Sequence, residues 1–110
     1  MTKSVIGSDP AILMQQIHAG TAPLIIDVRS KSEFDQGHVP GARHVPFWKM
    51  ASQAQALSAF RNGPIVVYCG HGPRAYLAGA ALRRRGFRNV TYLAGHMKTW
   101  KAMHLPLEVT

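Results

Sequence analysis

The clearest chemical signal in the sequence lies between Val66 and Ala75, where the only cysteine of the chain follows an apolar run. Two glycines and Arg74 stand within five residues of Cys69. Glycines allow a short loop to turn its backbone N–H groups inward, which makes an anion-binding concavity. A helix N-terminus and an arginine beside such a loop favour the thiolate, which is the nucleophilic form of cysteine. The local pattern fits a cysteine nucleophile, and it also fits a Gly-rich strand-to-helix turn without chemistry.

Because the chain has a single cysteine, several structural roles of Cys69 can be excluded. An intramolecular disulfide and a four-cysteine zinc site are both excluded. The six histidines show no metal-ligand spacing, and Cys69 with His71 offers two ligands at most. We therefore predict that the chain has no metal site.

Five short apolar runs rich in β-branched and aromatic residues are predicted as strands. They cover residues 24–28, 64–68 and 90–93, with shorter candidates at 3–6 and 42–45. Their apolar residues are continuous rather than alternating, which is typical of strands buried on both faces of a parallel sheet. Because ligand sites in such sheets lie at the carboxyl ends of strands, Cys69 is well placed at the end of the run 64–68.

Helices are predicted between these strands. Ser8 is the expected N-cap of a helix over 10–19, and Ser30 with Glu33 forms a capping-box spacing. Further helices are expected over 51–60, 74–85 and 96–103. The inward face of the first helix is predicted to carry Ile12, Leu13, Met14 and Ile17. The inward face of helix 74–85 is predicted to carry Leu77, Ala78, Ala81 and Leu82. The alternation indicates an α/β fold, with a small, mainly parallel sheet of about five strands and helices on both faces.

Composition and charge restrict the class of protein. The 110 residues fit one domain over 1–110, and no apolar run approaches the roughly 20 residues of a membrane span. No secretory signal opens the sequence, so a cytoplasmic location is expected. The net charge of +8 would attract anions. Nucleic acid is not the expected partner, because the basic residues are dispersed apart from Arg83, Arg84 and Arg85, which suit a helix end.

The stretch Cys69-x-x-Gly72-x-Arg74 resembles the active-site loop of rhodanese domains, a family of sulfurtransferases. Residues before it resemble the N-terminal signature of that family: IDVR at 26–29, EF at 33–34 and GHVPGA at 37–42. Residues after it resemble the C-terminal signature: 86–95, Trp100 and LPLE at 105–108. The three motifs occur in the family's order and together cover about residues 4–108.

The resemblance implies a two-step sulfur transfer. The Cys69 thiolate attacks the outer sulfur of a small anionic donor such as thiosulfate, and the resulting persulfide passes its sulfur to cyanide, a thiol or an acceptor protein. Arg74 would bind the donor. The loop residues expected to hold the charged sulfur are Gly70, His71, Gly72 and Ala75, although His71 could equally point to solvent. No metal, organic cofactor, nucleic acid or membrane is implied.

The length of the cysteine loop distinguishes two chemistries among the proteins that this sequence resembles. Related dual-specificity phosphatases and some arsenate reductases carry a loop one residue longer, which accommodates a tetrahedral oxyanion. The six residues from Cys69 to Arg74 suit a single sulfur atom, so phosphatase and arsenate reductase activities rank low. A carrier or protein-binding module that relays persulfide sulfur without turning over thiosulfate is the alternative function.

The sequence departs from the family pattern at four positions. Ala75 replaces a frequent hydroxyl residue, and Pro73 lacks a backbone N–H. His96 and His104 stand where glycine is frequent.

Outside the loop, four more side chains receive structural interpretations. Asp27 and Arg29 are predicted to form an internal polar pair. Trp100 is expected in the core, and Trp48 is expected at the mouth of the pocket.

Overall fold

The computed structural model describes residues 8–109 of the chain. Four parallel strands form its sheet, in the spatial order β2-β1-β3-β4. The strands are β1 (Leu24–Asp27), β2 (Arg43–His44), β3 (Ile65–Tyr68) and β4 (Val90–Tyr92). Each overlaps a predicted run, whereas the strand predicted over 3–6 lies outside the described residues. The predicted α/β fold with a parallel sheet is therefore confirmed.

Five α-helices connect and flank the strands: α1 (Pro10–Ala19), α2 (Lys31–Gln36), α3 (Met50–Gln53), α4 (Pro73–Arg84) and α5 (His96–Ala102). Two 3₁₀ segments flank α3, at Phe47–Lys49 and Ala54–Phe60. The single helix predicted over 51–60 is therefore wrong in type for most of its length. Its alanines favour helical dihedral angles, and those angles serve i→i+3 bonding nearly as well as i→i+4 bonding.

Two hydrophobic clusters lie on opposite faces of the sheet. On one face, Ile26 and Val67 pack with Ala78 and Leu82 of α4. On the other, residues of β1 and β3 pack with Leu13 of α1 and with α5; these are Ile25, Val66, Tyr68, Met97 and Trp100. The predicted core position of Trp100 is confirmed, since it is fully buried and its indole N–H donates to the Pro106 carbonyl at 2.8 Å.

The N-terminal cap of α1 differs from the expectation. Asp9, not Ser8, is the cap, because its carboxylate accepts from the backbone N–H groups of Ala11 and Ile12. Ser8 instead pairs through its backbone beside β4, donating to the Tyr92 carbonyl and accepting from the Ala94 N–H.

Two apolar side chains predicted to face inward are exposed. Leu77 is 61% exposed and Ile12 is 54% exposed. The buried residues of α4 are Ala75, Ala78, Gly79 and Leu82, an i, i+3, i+4, i+7 set that places Leu77 on the far side of the helix. Within residues 8–109, no helix combines the length and the apolar character needed to span a bilayer.

Candidate active site

The candidate site lies at the carboxyl edge of the parallel sheet, where three chain segments meet. Cys69 directly follows β3, and the Asp27–Arg29 segment ends β1. The N-terminal end of α5 follows β4 and is tied to β3 by backbone bonds, since the N–H groups of Met97 and Lys98 donate to the carbonyls of Cys69 and Gly70 at 3.0 Å each. The topology thus assembles the site from segments far apart in the sequence.

The loop after Cys69 folds back so that its backbone N–H groups surround the sulfur. The Gly72 N–H donates to Cys69 Sγ at 3.0 Å. Gly72 has φ +140°, a conformation that favours glycine and that turns the chain into Pro73 at the start of α4. The backbone amides of His71 and Ala75 also lie close enough to the sulfur to lower its pKa. Of the four loop residues expected to hold the sulfur, Gly72 therefore donates a hydrogen bond to it.

Gly70 has a different part from the other loop residues. It bonds through its carbonyl to α5 rather than through an N–H to the sulfur. A Cβ added there would lie 3.1 Å from an Arg74 guanidinium nitrogen, so Gly70 allows Arg74 to lie close against the loop.

The thiol of Cys69 is perturbed by opposing effects. Burial raises its pKa, while the neighbouring His96 ring and the backbone amides of Ala75, Gly72 and His71 lower it, and the net pKa falls from 9.0 to about 7. Much of the sulfur is therefore thiolate at neutral pH. Cys69 has no exposed surface, so the loop covers its sulfur.

Arg74 is held by a carboxylate from the N-terminal half of the chain. Its guanidinium donates to both oxygens of Glu33, at 2.7 and 3.2 Å. Glu33 also accepts from the backbone N–H of Ser30, whose hydroxyl in turn accepts from the Glu33 N–H, so the predicted capping box is confirmed. The bond from Arg74 is the main reason why the pKa of Glu33 falls to about 2.

A cleft of about 550 Å³ opens beside the loop. Most of its lining residues are charged, with one carboxylate against several cations. The lining residues are Arg29, Glu33, Gly70, His71, Arg74, Met97, Lys98 and Lys101. Arg29 and Arg74 are ion-paired, whereas the ammonium groups of Lys98 and Lys101 form no ion pair with any residue in 8–109. The two lysines of α5 thus give the cleft its uncompensated positive charge, a feature that the motif-based prediction missed.

Asp27 and Arg29 form the predicted internal pair. The Asp27 carboxylate accepts from the Arg29 backbone N–H at 2.9 Å and from its guanidinium at 2.8 and 3.1 Å. Both side chains are almost fully buried, and the Arg29 guanidinium also donates to the Gly37 carbonyl. These bonds hold Arg29, which lines the cleft, between the end of β1 and the end of α2.

Two aromatic side chains differ from the expectation. Trp48 is 59% exposed and is not among the residues that line the cleft, so its predicted place at the pocket mouth is wrong. His96 received no role from the sequence, yet its ring is buried and its Nδ1 accepts from the Cys69 N–H at 3.2 Å. The only sequence signal was a histidine at a position where glycine is frequent.

The fold and the buried cysteine loop define a cysteine-centred α/β domain, and comparisons with known proteins identify its family. Residues 9–103 match the family model described as a rhodanese-like domain. The chain therefore belongs to the rhodanese-like domain family, which confirms the resemblance drawn from the three motifs.

Two curated relatives illustrate this membership. The thiosulfate sulfurtransferase GlpE of Coxiella burnetii is 33% identical over 81 residues, which cover 74% of each chain. A Bacillus subtilis protein named "Putative sulfur carrier protein YrkF" is 28% identical over 86 residues. Those residues cover 78% of this chain but only 45% of the relative, so the chain spans less than half of that protein.

Solved structures show the same fold. The crystal structure of the Alr3790 protein from Anabaena sp. superimposes with a TM-score of 0.83 at 32% identity. The match covers 94% of this chain and 82% of the other.

Proposed function

We propose that this chain is a rhodanese-type sulfurtransferase that carries sulfane sulfur on Cys69. The observation that carries the proposal is the geometry of the sulfur, which accepts the Gly72 N–H at 3.0 Å within a ring of loop amides. Such a ring stabilises a negatively charged sulfur, whether it is the thiolate or the terminal sulfur of a persulfide. The relative named thiosulfate sulfurtransferase supports the same reaction class.

In the first step the Cys69 thiolate attacks the outer sulfur of thiosulfate. A new S–S bond forms to Cys69, the S–S bond of thiosulfate breaks, and sulfite leaves with the electron pair. Sulfite departs as an anion, so the step needs no general acid. Arg74 and the uncompensated lysines of α5 attract the dianionic donor into the cleft.

In the second step a nucleophilic acceptor removes the sulfur. Cyanide or a thiolate attacks the terminal sulfur of the persulfide, and Cys69 leaves as a thiolate held by the same amides. The products are thiocyanate or a new persulfide, and the thiolate is ready for another donor. No proton or electron is left unbalanced in either step.

The test is the intact mass of the protein after incubation with excess thiosulfate, before and after cyanide is added. We expect a gain of about 32 Da, one sulfur, that cyanide removes, and no gain in Cys69→Ser. A stable fold of Cys69→Ser by circular dichroism is the control. Sulfur transfer retained by that variant would contradict the persulfide mechanism.

A sulfur-carrier role is the second candidate, and the name of the Bacillus subtilis relative favours it. A carrier would accept sulfur from a persulfide donor and pass it to a protein while turning over negligible thiosulfate. The positive charge around the cleft suits an acidic protein partner as well as a small anion. Loading by thiosulfate followed by rapid transfer to cyanide would argue against the carrier role. Hydrolysis of an aryl phosphate would instead support phosphatase activity, which the length of the loop disfavours.

A further inference from the structure

His96 lies directly behind the reactive cysteine, although no motif draws attention to it. Its side chain is buried, at 4% exposed, and its Nδ1 accepts from the backbone N–H of Cys69 at 3.2 Å. The ring packs edge-on against Tyr76, with centroids 5.8 Å apart and planes at 88°. The imidazole is therefore fixed from two sides.

The backbone of His96 adopts a conformation that costs free energy for a residue with a side chain. Its φ is +55°, in the left-handed region where glycine is favoured. His104, which follows α5, has the same φ of +55°, but its side chain is exposed. The two histidines thus share one backbone conformation, and only His96 has a buried contact with Cys69.

The hydrogen bond fixes where the ring carries its proton. An Nδ1 that accepts an N–H bears no proton, so the neutral imidazole is protonated at Nε2. Nε2 lies 3.7 Å from the position that a Cβ on Gly72 would take. Because Gly72 donates its N–H to Cys69 Sγ, the ring lies beside the loop both at its first N–H and near the residue that closes it over the sulfur.

We propose that His96 is a positioning residue for Cys69, which anchors the first N–H of the loop and so keeps Sγ among the amides that stabilise the thiolate. The inference rests on the proposed function, since it concerns the same sulfur. The pKa of the thiol agrees with this geometry: burial raises the pKa of Cys69, and the neighbouring His96 side chain is the largest of the effects that lower it.

Other charged and titratable groups surround this sulfur and stay in place in the test. The loop contributes His71, α4 contributes Arg74 and Tyr76, and α5 contributes Lys98. The remaining groups come from α2 and the end of β1: Glu33, Asp27 and Arg29. None of them accepts the Cys69 N–H, so a change at His96 can be separated from their effects.

Two substitutions of His96 distinguish a positioning role for the ring from a purely structural role. His96→Gly removes the acceptor while suiting the left-handed φ. His96→Asn restores it, because the asparagine side-chain oxygen is one bond from Cγ, as Nδ1 is in histidine, and asparagine also tolerates this φ. His104→Gly relieves the same backbone conformation without touching Cys69 and is the matched control.

The measurement is the ultraviolet absorbance of the thiolate between about pH 5 and pH 9. The chain has one cysteine, so Cys69→Ser supplies the baseline. In His96→Gly we expect the midpoint to rise by about one pH unit, with near-native values in His96→Asn and His104→Gly.

Three results would overturn the proposal: an unmoved midpoint in His96→Gly, no restoration by His96→Asn, or an equal rise in His104→Gly. Sulfur loading by thiosulfate is measured on the same proteins. If thiosulfate does not load the wild-type protein but His96→Gly still raises the midpoint, the proposed function is refuted and this inference stands.

Discussion

Glu33 and Arg74, which are 41 residues apart in the sequence, are joined by two hydrogen bonds of 2.7 and 3.2 Å. The same carboxylate completes the capping box of α2. One side chain therefore links the first turn of α2 to the first turn of α4, beside the loop that holds Cys69. The orientation of Arg74 depends on an element from the other half of the chain.

Glu33→Gln tests this link through pH. The pKa of Glu33 is lowered from 4.5 to about 2, so the carboxylate stabilises the fold fully above about pH 4.5, and that contribution is lost as the pH falls toward 2. Because the pair is partly exposed, we expect Glu33→Gln to lower the free energy of unfolding by about 1 kcal/mol or less at neutral pH, and by less still near pH 3. Glutamine at this position retains the capping box.

Urea unfolding at several pH values measures that difference. Asp35→Asn, which removes an exposed ion pair with Lys31, is the matched control and should have little effect at any pH. A Glu33→Gln penalty that stays constant down to pH 3 would contradict the link.

Arg74→Ala is expected to weaken the use of thiosulfate while the protein stays folded. A charge-assisted hydrogen bond contributes about 1.5–3 kcal/mol, so the KM for thiosulfate should rise by about tenfold to a hundredfold. Steady-state cyanide assays measure it, and circular dichroism controls for folding. An unchanged dependence on thiosulfate would remove Arg74 from the donor site.

Lys98→Met tests the uncompensated charge of the cleft. We expect the KM for thiosulfate to rise by about threefold at low ionic strength, and the difference to shrink as salt is added. Arg84→Met is the matched control. It removes one positive charge at the end of α4 that is far from the cysteine loop, and it should leave KM unchanged. Equal effects of the two substitutions would mean that net charge, rather than the cleft, attracts the donor.

Asp27→Ala is expected to be strongly destabilising. It leaves the Arg29 guanidinium buried without its carboxylate, which costs about 3–5 kcal/mol. Chemical denaturation followed by the fluorescence of buried Trp100 measures the loss. Asp35→Ala on the surface should change stability by about 0.5 kcal/mol or less. A loss below 1 kcal/mol in Asp27→Ala would show that the buried pair contributes little.

Local sequence patterns predicted the strands, most helix positions and the Cys69 loop, because β-branched runs, caps and glycines act within a few residues. They did not predict the Glu33–Arg74 pair, which depends on how β1 and β3 lie side by side. The position of Leu77 was missed because an apolar residue on a helix need not face the core. The contact of His96 with Cys69 was missed because it joins the start of α5 to the end of β3, 27 residues apart, and local patterns do not reveal such contacts.

The outer strand β2 has a consequence for the behaviour of the protein at high concentration. It has only two residues, one of which is the exposed and charged Arg43, and Pro40 and Pro46 flank it in the sequence. Short length, charge and proline each hinder the addition of a strand from another molecule. This side of the sheet therefore offers a poor template for intermolecular β-pairing, and it protects a highly apolar parallel sheet from aggregation.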